Sequence, residues 1–124
     1  MKIVFIMVVL SLAGCATAPQ LSEYEIKELN TPITCKDKAE CDAKWSKTQA
    51  YVVQNSKWKI KVATDTILQT EGPFDQMSLA YTVTKSINSN GSGEITVQAG
   101  CGNLFGCEQN PNEAIINLKR IVNN

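Results

Sequence analysis

Alternation of apolar and polar residues runs through the middle of the chain and predicts β-strands. Residues 58–62 alternate between apolar side chains and lysines, a pattern typical of a strand with one buried and one solvated face. The alternation slips after Thr64-Asp65 and resumes over residues 66–70, so one bulged strand and two short strands both fit. Gly72-Pro73 ends this region.

The clearest hairpin lies further along the chain. From Leu79 to Val83 every second residue is large and apolar, and residues 94–99 again place apolar residues on one face. Residues 88–93 between them are Gly, Asn and Ser, which favour tight turns. The pattern predicts two antiparallel strands joined by this turn.

A first long helix is predicted over residues 38–54. Asp37 followed by Glu40 is a capping-box pattern, and Asn55-Ser56 is a stop signal. Four residues of this segment share one helical face: Cys41, Trp45, Thr48 and Val52. We interpret Trp45 as an anchor of the core rather than as a platform for a ligand.

A second long helix is predicted at the C-terminus. Asn110 is a good N-cap, Pro111 suits the first helical position, and Glu113 lies three residues after the cap. Lys119 and Arg120 lie near the end, where they complement the helix dipole. The apolar stripe is Ala114, Ile115, Leu118, Ile121 and Val122.

This order of elements predicts an α+β fold. We expect a two-layer domain over residues 35–124, with a meander of three or four antiparallel strands and both helices packed mainly on one face of the sheet. The other face is expected to be solvated, and it carries Lys59, Lys61, Thr82, Thr84, Glu94, Thr96 and Gln98.

The N-terminus has the pattern of an export signal. Lys2 precedes an apolar run over residues 3–12, which as a helix would rise about 15 Å, half of a bilayer core of about 30 Å. It is therefore too short to span a membrane and is typical of a signal peptide.

The residues after this run, Leu12-Ala13-Gly14-Cys15, resemble the lipobox of bacterial lipoproteins. The resemblance implies a signal peptide over residues 1–14, cleavage after Gly14, and acylation of Cys15. With two or three acyl chains attached, Cys15 would be a stable membrane anchor. Ala16 stands where an inner-membrane lipoprotein of enteric type often carries Asp, so the resemblance favours the outer membrane, with the domain in the periplasm. An ordinary secretory signal with a chance cysteine is the alternative.

Residues 15–34 are predicted to be a flexible tether. They contain Pro19, Pro32 and scattered acidic residues, and they show no sustained period. The alternative is that residues 21–29 form a short strand or helix docked on the domain, because Leu21, Tyr24, Ile26 and Leu29 are apolar.

The four remaining cysteines form two pairs of equal spacing. Cys35 and Cys41, like Cys101 and Cys107, have five residues between them, and an exported domain of this size is expected to pair its cysteines. We favour these two local disulfides, each worth about 2.4 kcal/mol on the chain-entropy model. Crossed pairings are the alternatives. A redox couple or a zinc site would ordinarily require closer spacing.

Composition excludes several classes of function. The chain of 124 residues has 12 basic and 12 acidic residues, a balance that argues against nucleic-acid binding. It contains no histidine, which excludes a Ser-His-Asp triad, a Cys-His nucleophile, a His-ligated zinc site and a histidine pH switch. We expect no cofactor and no metal.

The exported region resembles small lipoproteins of Gram-negative bacteria. The shared features are the segment Cys41-Asp42-Ala43-Lys44-Trp45 and two Gly-Cys pairs, Gly100-Cys101 and Gly106-Cys107. The resemblance covers most of residues 35–122 and implies no activity.

Leu104 and Phe105 are the candidate contact residues for a partner. They lie between glycines inside the ring that a Cys101–Cys107 disulfide would close, and two bulky apolar residues at a loop tip are costly unless something covers them. They would either plug the core of the domain itself, which we favour, or contact a partner protein.

The leading hypothesis for function is a lipid-anchored envelope protein that binds or scaffolds another envelope component without catalysis. One alternative is an inhibitor or immunity-type protein against an envelope-active toxin. The other is a hydrolase that uses two carboxylates drawn from Asp65, Glu71, Asp75 and Glu94, but their spacing singles out no pair.

Overall fold

The computed structural model describes residues 20–124, so the predicted signal peptide and Cys15 lie outside the described residues. The fold is α+β, as predicted, and within that range the sheet has five strands rather than three or four. The elements are α1 (Glu23–Asn30), β1 (Ile33–Cys35), α2 (Lys38–Asn55), β2 (Ile60–Ala63), β3 (Ile67–Thr70), β4 (Ala80–Ile87), β5 (Gly93–Gly100) and α3 (Pro111–Asn123).

The sheet is antiparallel throughout, in the order β1-β5-β4-β3-β2. The predicted meander is present as β2 to β5. The additional strand, β1, pairs with the outer edge of β5, where Ile33 lies opposite Ile95. Three residues are too few to show a period of two in the sequence, but Ile33 and Cys35 are buried and Thr34 between them is exposed.

The prediction of a flexible tether was therefore wrong for residues 23–34, and the alternative of a docked helix was right. Helix α1 is capped by Ser22, whose hydroxyl accepts a hydrogen bond from Glu25 N while the Glu25 carboxylate accepts one from Ser22 N. None of its residues is fully buried, although Leu29 packs partly buried against the core, so polar contacts with α3 contribute to its attachment.

Lys119 makes that attachment. Its ammonium donates to the backbone carbonyl oxygens of Glu28, Leu29 and Thr31 at 2.9, 2.7 and 2.7 Å, and these carbonyls lie at the end of α1. Burial lowers the pKa of Lys119, against a smaller opposing effect of the Glu28 carboxylate. The apolar stripe predicted from sequence included Ile121, but Ile121 is exposed. Lys119 and Ile116 are buried instead, because α1 packs on α3.

Helices α2 and α3 bury their apolar faces against the same side of the sheet. The predicted face of α2 is confirmed, since Cys41, Trp45, Thr48 and Val52 are all buried. Trp45 and Val52 join α3 residues such as Leu118 and sheet residues such as Val83 in one core. The predicted solvated face is confirmed where Thr84, Glu94, Thr96 and Gln98 lie exposed on it.

Strands β2 and β3 form a hairpin, so the slip in the pattern at Thr64-Asp65 marks a turn between two strands. The register also shifts between Ile60 and Val62. The predicted buried face of β2 was wrong, because Ile60 is exposed and Val62 only half-buried. Helices α2 and α3 pack over β5 and β1. Strand β2 lies at the opposite edge of the sheet, so the helices do not cover it.

Two buried tyrosines differ in how their hydroxyls are satisfied. Tyr51 Oη donates to Ala114 O at 3.3 Å, whereas Tyr81 Oη has no partner within residues 20–124. We expect Tyr51→Phe to lower the free energy of unfolding by about 1 kcal/mol and Tyr81→Phe to change it little, because only Tyr51→Phe removes a hydrogen bond. Urea denaturation at neutral pH would measure both.

Burial, with a smaller effect of Tyr51, raises the pKa of Tyr81 to about 12. The unfolded chain ionises this hydroxyl from about pH 10 and the folded chain does not, so stability falls as the pH rises between these values. Tyr81→Phe should reduce that loss. An unchanged pH dependence, or a large loss of stability at neutral pH, would contradict this account of the hydroxyl.

Candidate functional site

Both predicted disulfides are present, and the crossed pairings are wrong. The Cα atoms are 5.0 Å apart in Cys35–Cys41 and 5.7 Å apart in Cys101–Cys107. The first bridge is buried and ties β1 to the first turn of α2. The second is half-buried against the core, so the seven-residue loop that it closes is held at its base.

The tip of this loop is a tight turn. Gly106 N donates to Asn103 O at 3.3 Å, which closes a turn with Leu104 and Phe105 at its two central positions. The Asn103 side chain adds a second restraint, because its Oδ1 accepts a hydrogen bond from Phe105 N at 2.8 Å. Gly106 has a φ of 109°, a backbone conformation that favours glycine.

Leu104 and Phe105 are 99% and 94% exposed. The favoured prediction that they plug the core was therefore wrong. The central positions of such turns usually carry Pro, Asn, Asp, Ser or Gly. Two large apolar residues are unusual there, and within residues 20–124 their side chains gain no packing that would account for them.

A neighbouring loop adds further exposed apolar residues. Residues 71–78 pack against residues 101–109, with Gly102 N donating to Gln76 O at 3.1 Å and Glu108 N donating to Met77 O at 3.0 Å. Phe74 is 67% exposed and Met77 is 43% exposed. We call residues 71–78 and 101–109 together the loop end.

Sequence reasoning did not connect Phe74 and Met77 with Leu104 and Phe105. They lie in a loop about 30 residues earlier, in which only Asp75 and Glu71 had been considered, as carboxylates. The signal that could have found them is the predicted antiparallel pairing of residues 79–83 with 94–99, which brings the two flanking loops to the same end of the sheet.

Charged residues lie in and next to the loop end. Lys57 Nζ contacts Glu108 Oε2 at 2.8 Å, and Glu71 and Asp75 are exposed. An apolar centre with a charged margin is the usual arrangement of a protein-binding surface. The Phe74 ring is also held in place, because it packs edge to face against Trp58 with 5.5 Å between ring centroids.

The four candidate carboxylates lie in three separate parts of the molecule, and all of them are exposed. Asp65 lies in the turn between β2 and β3, Glu71 and Asp75 lie in the loop after β3, and Glu94 lies on the solvated face of β5. Because a short strand separates Asp65 from Glu71, these two carboxylates are about 20 Å apart, well beyond the separation of a glycosidase pair.

The loop end and the first described residues lie at opposite ends of α3. The loop end leads directly into Asn110, the N-cap of α3. Tyr24 of α1 shares a small cleft with Asn123, at the other end of the same helix. The 13 residues from Pro111 to Asn123 span about 18 Å. The chain therefore enters the domain at the end away from Leu104 and Phe105.

No helix within residues 20–124 has the length and the hydrophobicity needed to cross a bilayer. Comparison of the chain with protein-family models, with curated proteins and with solved structures gave no match.

Proposed function

We propose that this protein is a lipid-anchored component of the bacterial envelope whose loop end binds another envelope protein, without catalysis. The observation that carries the proposal is the full exposure of Leu104 and Phe105 at a turn that a disulfide and the Asn103 side chain restrain. A restrained tip loses little conformational entropy on binding, so most of the free energy gained by burying these side chains is retained.

The size of this contribution is consistent with an anchor for a protein complex. Complete burial of a leucine or a phenylalanine contributes about 1.5–3 kcal/mol each, so the two together would supply about 3–6 kcal/mol. Phe74 and Met77 lie on the adjoining loop and would extend the contact. A few buried aromatic and aliphatic residues of this kind commonly dominate the affinity of an interface.

The position of the loop end supports a protein rather than the anchoring membrane as its partner. The predicted lipid is at Cys15, and the chain enters the domain at the far end of α3 from Leu104. In this arrangement the tip points away from the membrane that holds the lipid. The two disulfides are also in keeping with an oxidising compartment such as the periplasm.

A second candidate is the inhibitor or immunity-type protein. The observation that favours it is the protruding shape of the tip, which a disulfide holds ready for insertion into a cleft. The two candidates differ in the partner, because the inhibitor would bind an envelope-active enzyme and reduce its activity in an assay with the purified pair.

Site-specific crosslinking in intact cells tests the binding proposal. With p-benzoylphenylalanine at position 105 we expect a discrete protein adduct, and with the same residue at position 96, on the solvated face, we expect none. Leu104→Ser combined with Phe105→Ser should abolish co-purification of that partner while the circular dichroism and melting temperature stay unchanged, because both side chains are already exposed.

The same cells test the anchor. Wild-type protein should remain in the membrane fraction after washing, and Cys15→Ser should be released from it. Adducts of position 105 with lipid alone would overturn the protein-partner proposal, and retention of Cys15→Ser in washed membranes would overturn the lipid anchor.

A further inference from the structure

A groove of about 740 Å³ lies between the first half of α2 and the turns that follow β2 and β4. This volume is within the range of about 300–1,000 Å³ typical of small-molecule sites. Its walls carry Lys38, Asp42 and Trp45 from α2, Asp65 from the β2–β3 turn, and Lys85 and Ile87 from β4. The turn after β4 lies at the other end of the sheet from the loop end, so the groove is separate from the proposed partner surface.

Lys85 is the unusual residue of this groove. Its side chain is only 8% exposed, and its ammonium lies 5.3 Å from the centroid of the Trp45 ring. The nearest carboxylate oxygen, Asp42 Oδ1, is 3.6 Å away, and Lys85 Nζ makes no hydrogen bond within residues 20–124. Its partners are therefore an ion pair with Asp42 that is longer than a hydrogen bond and the face of the Trp45 ring, and its place in the wall of the groove leaves its N–H groups able to donate to an acceptor from a ligand.

The carboxylates of the groove define the rest of the ligand. Asp42 is already engaged, because Lys38 donates a hydrogen bond to it. Asp65 is exposed and forms no ion pair with any of residues 20–124. Among residues 20–124, the groove therefore presents one ammonium that makes no hydrogen bond and one carboxylate that is in no ion pair.

We infer that this groove binds a short zwitterionic peptide, whose terminal carboxylate accepts hydrogen bonds from Lys85 and whose terminal ammonium pairs with Asp65. Gln49 and Asn88 also line the groove, and their amide groups can donate to and accept from peptide bonds in between. A phosphorylated ligand fits less well because two aspartates would repel it. A neutral sugar would lack a stacking surface, since the Trp45 ring is buried and Lys85 covers its face.

Trialanine is a suitable probe, with calorimetry or amide chemical shifts of the full domain as the measurement. We expect binding of trialanine and at least tenfold weaker binding of its C-terminal amide and of its N-acetyl form. Lys85→Met should weaken the binding of trialanine to that of its C-terminal amide, and the variant should bind trialanine and the amide equally. The substitution and the amidation each remove the contact between Lys85 and the terminal carboxylate. Asp65→Asn should remove the difference between trialanine and N-acetyl-trialanine.

Two controls separate this site from structure and from the loop end. Lys85→Met replaces a buried ammonium with an apolar side chain of similar length, so the fold is expected to persist, which circular dichroism would verify. Lys59→Met changes an exposed lysine outside the groove and should leave trialanine binding unchanged, as should the Leu104→Ser, Phe105→Ser double variant. Absence of trialanine binding would overturn the inference. So would an affinity that neither Lys85→Met nor amidation of the peptide changes, or preferential binding of N-acetylglucosamine.

Discussion

Gly102→Ala is expected to lower the free energy of unfolding by about 3 kcal/mol, the upper end of the usual cost of overpacking. A Cβ atom on Gly102 would lie 2.6 Å from Pro73 O and closer still to Phe74 O. Both are backbone atoms, and they cannot move aside as the end of a flexible side chain would. The substitution would therefore push the two loops of the loop end apart and break the hydrogen bond from Gly102 N to Gln76 O.

Gly100→Ala is the matched control. No atom lies within 4 Å of the Cβ position at Gly100, and this glycine is in a strand with φ outside the left-handed region. We expect its stability to be unchanged or raised by up to about 1 kcal/mol, because alanine reduces the entropy of the unfolded chain. Urea denaturation of the oxidised proteins would compare them, and equal stability of the two variants would show that the loops are not packed this closely.

Lys119→Met is expected to release α1 from the domain, with a loss of about 3 kcal/mol. The ammonium of Lys119 donates hydrogen bonds to three carbonyls at the end of α1, and hydrogen bonds to a charged group contribute about 1.5–3 kcal/mol each, though not additively. Methionine fills the space and donates nothing. Helix α1 has no fully buried residue, and its other contacts include the partly buried Leu29 and the Arg120–Glu28 ion pair.

Hydrogen exchange of the α1 amides would show this release directly, with the amides of α2 as the internal reference. Arg120→Gln is the control, because the Arg120 and Glu28 side chains are 44% and 20% exposed and an ion pair that is open to solvent is expected to contribute little to stability. If α1 in Lys119→Met stayed protected to the same degree as in the wild type, Lys119 would not be its main attachment.

Elements with strong local signals were predictable from sequence. Helix α2 begins at Lys38, behind the Asp37 cap, and α3 begins at Pro111, behind the Asn110 cap, as the capping patterns predict. The β4–β5 hairpin surrounds its Gly/Asn/Ser turn. In each case side chains within a few residues of one another satisfy the backbone groups, so no distant contact is required to form the element.

Elements that depend on distant contacts were not predictable. Strand β1 has three residues and exists through its pairing with β5, which lies about 60 residues further along the chain. Helix α1 contacts Lys119, which the sequence pattern placed near the C-terminal end of α3 as a complement to the helix dipole. Ile60 follows the alternation of a half-buried strand, but the helices do not reach the edge where β2 lies.

The candidate sites divide in the same way. The cysteine spacing identified the loop and both disulfides, and it singled out Leu104 and Phe105 as unusual. Whether these two residues point inward or outward depends on how the loop packs on the core. The cysteine spacing does not determine that packing. The groove at Lys85 joins residues from three separate segments, none of which carries a recognisable motif.

The sequence by itself determined the α+β class, the two helix starts, the central hairpin and the local disulfides, because each of these depends on interactions between near neighbours or on the periodicity of burial. The tertiary structure alone decided that residues 23–35 belong to the domain, that Leu104 and Phe105 are exposed beside Phe74 and Met77, and that Lys85 is sequestered without a hydrogen bond within residues 20–124. These features arise where segments that are distant in the sequence pack together. Burial and the lack of a hydrogen-bond partner depend on that packing and not on the sequence of any one segment.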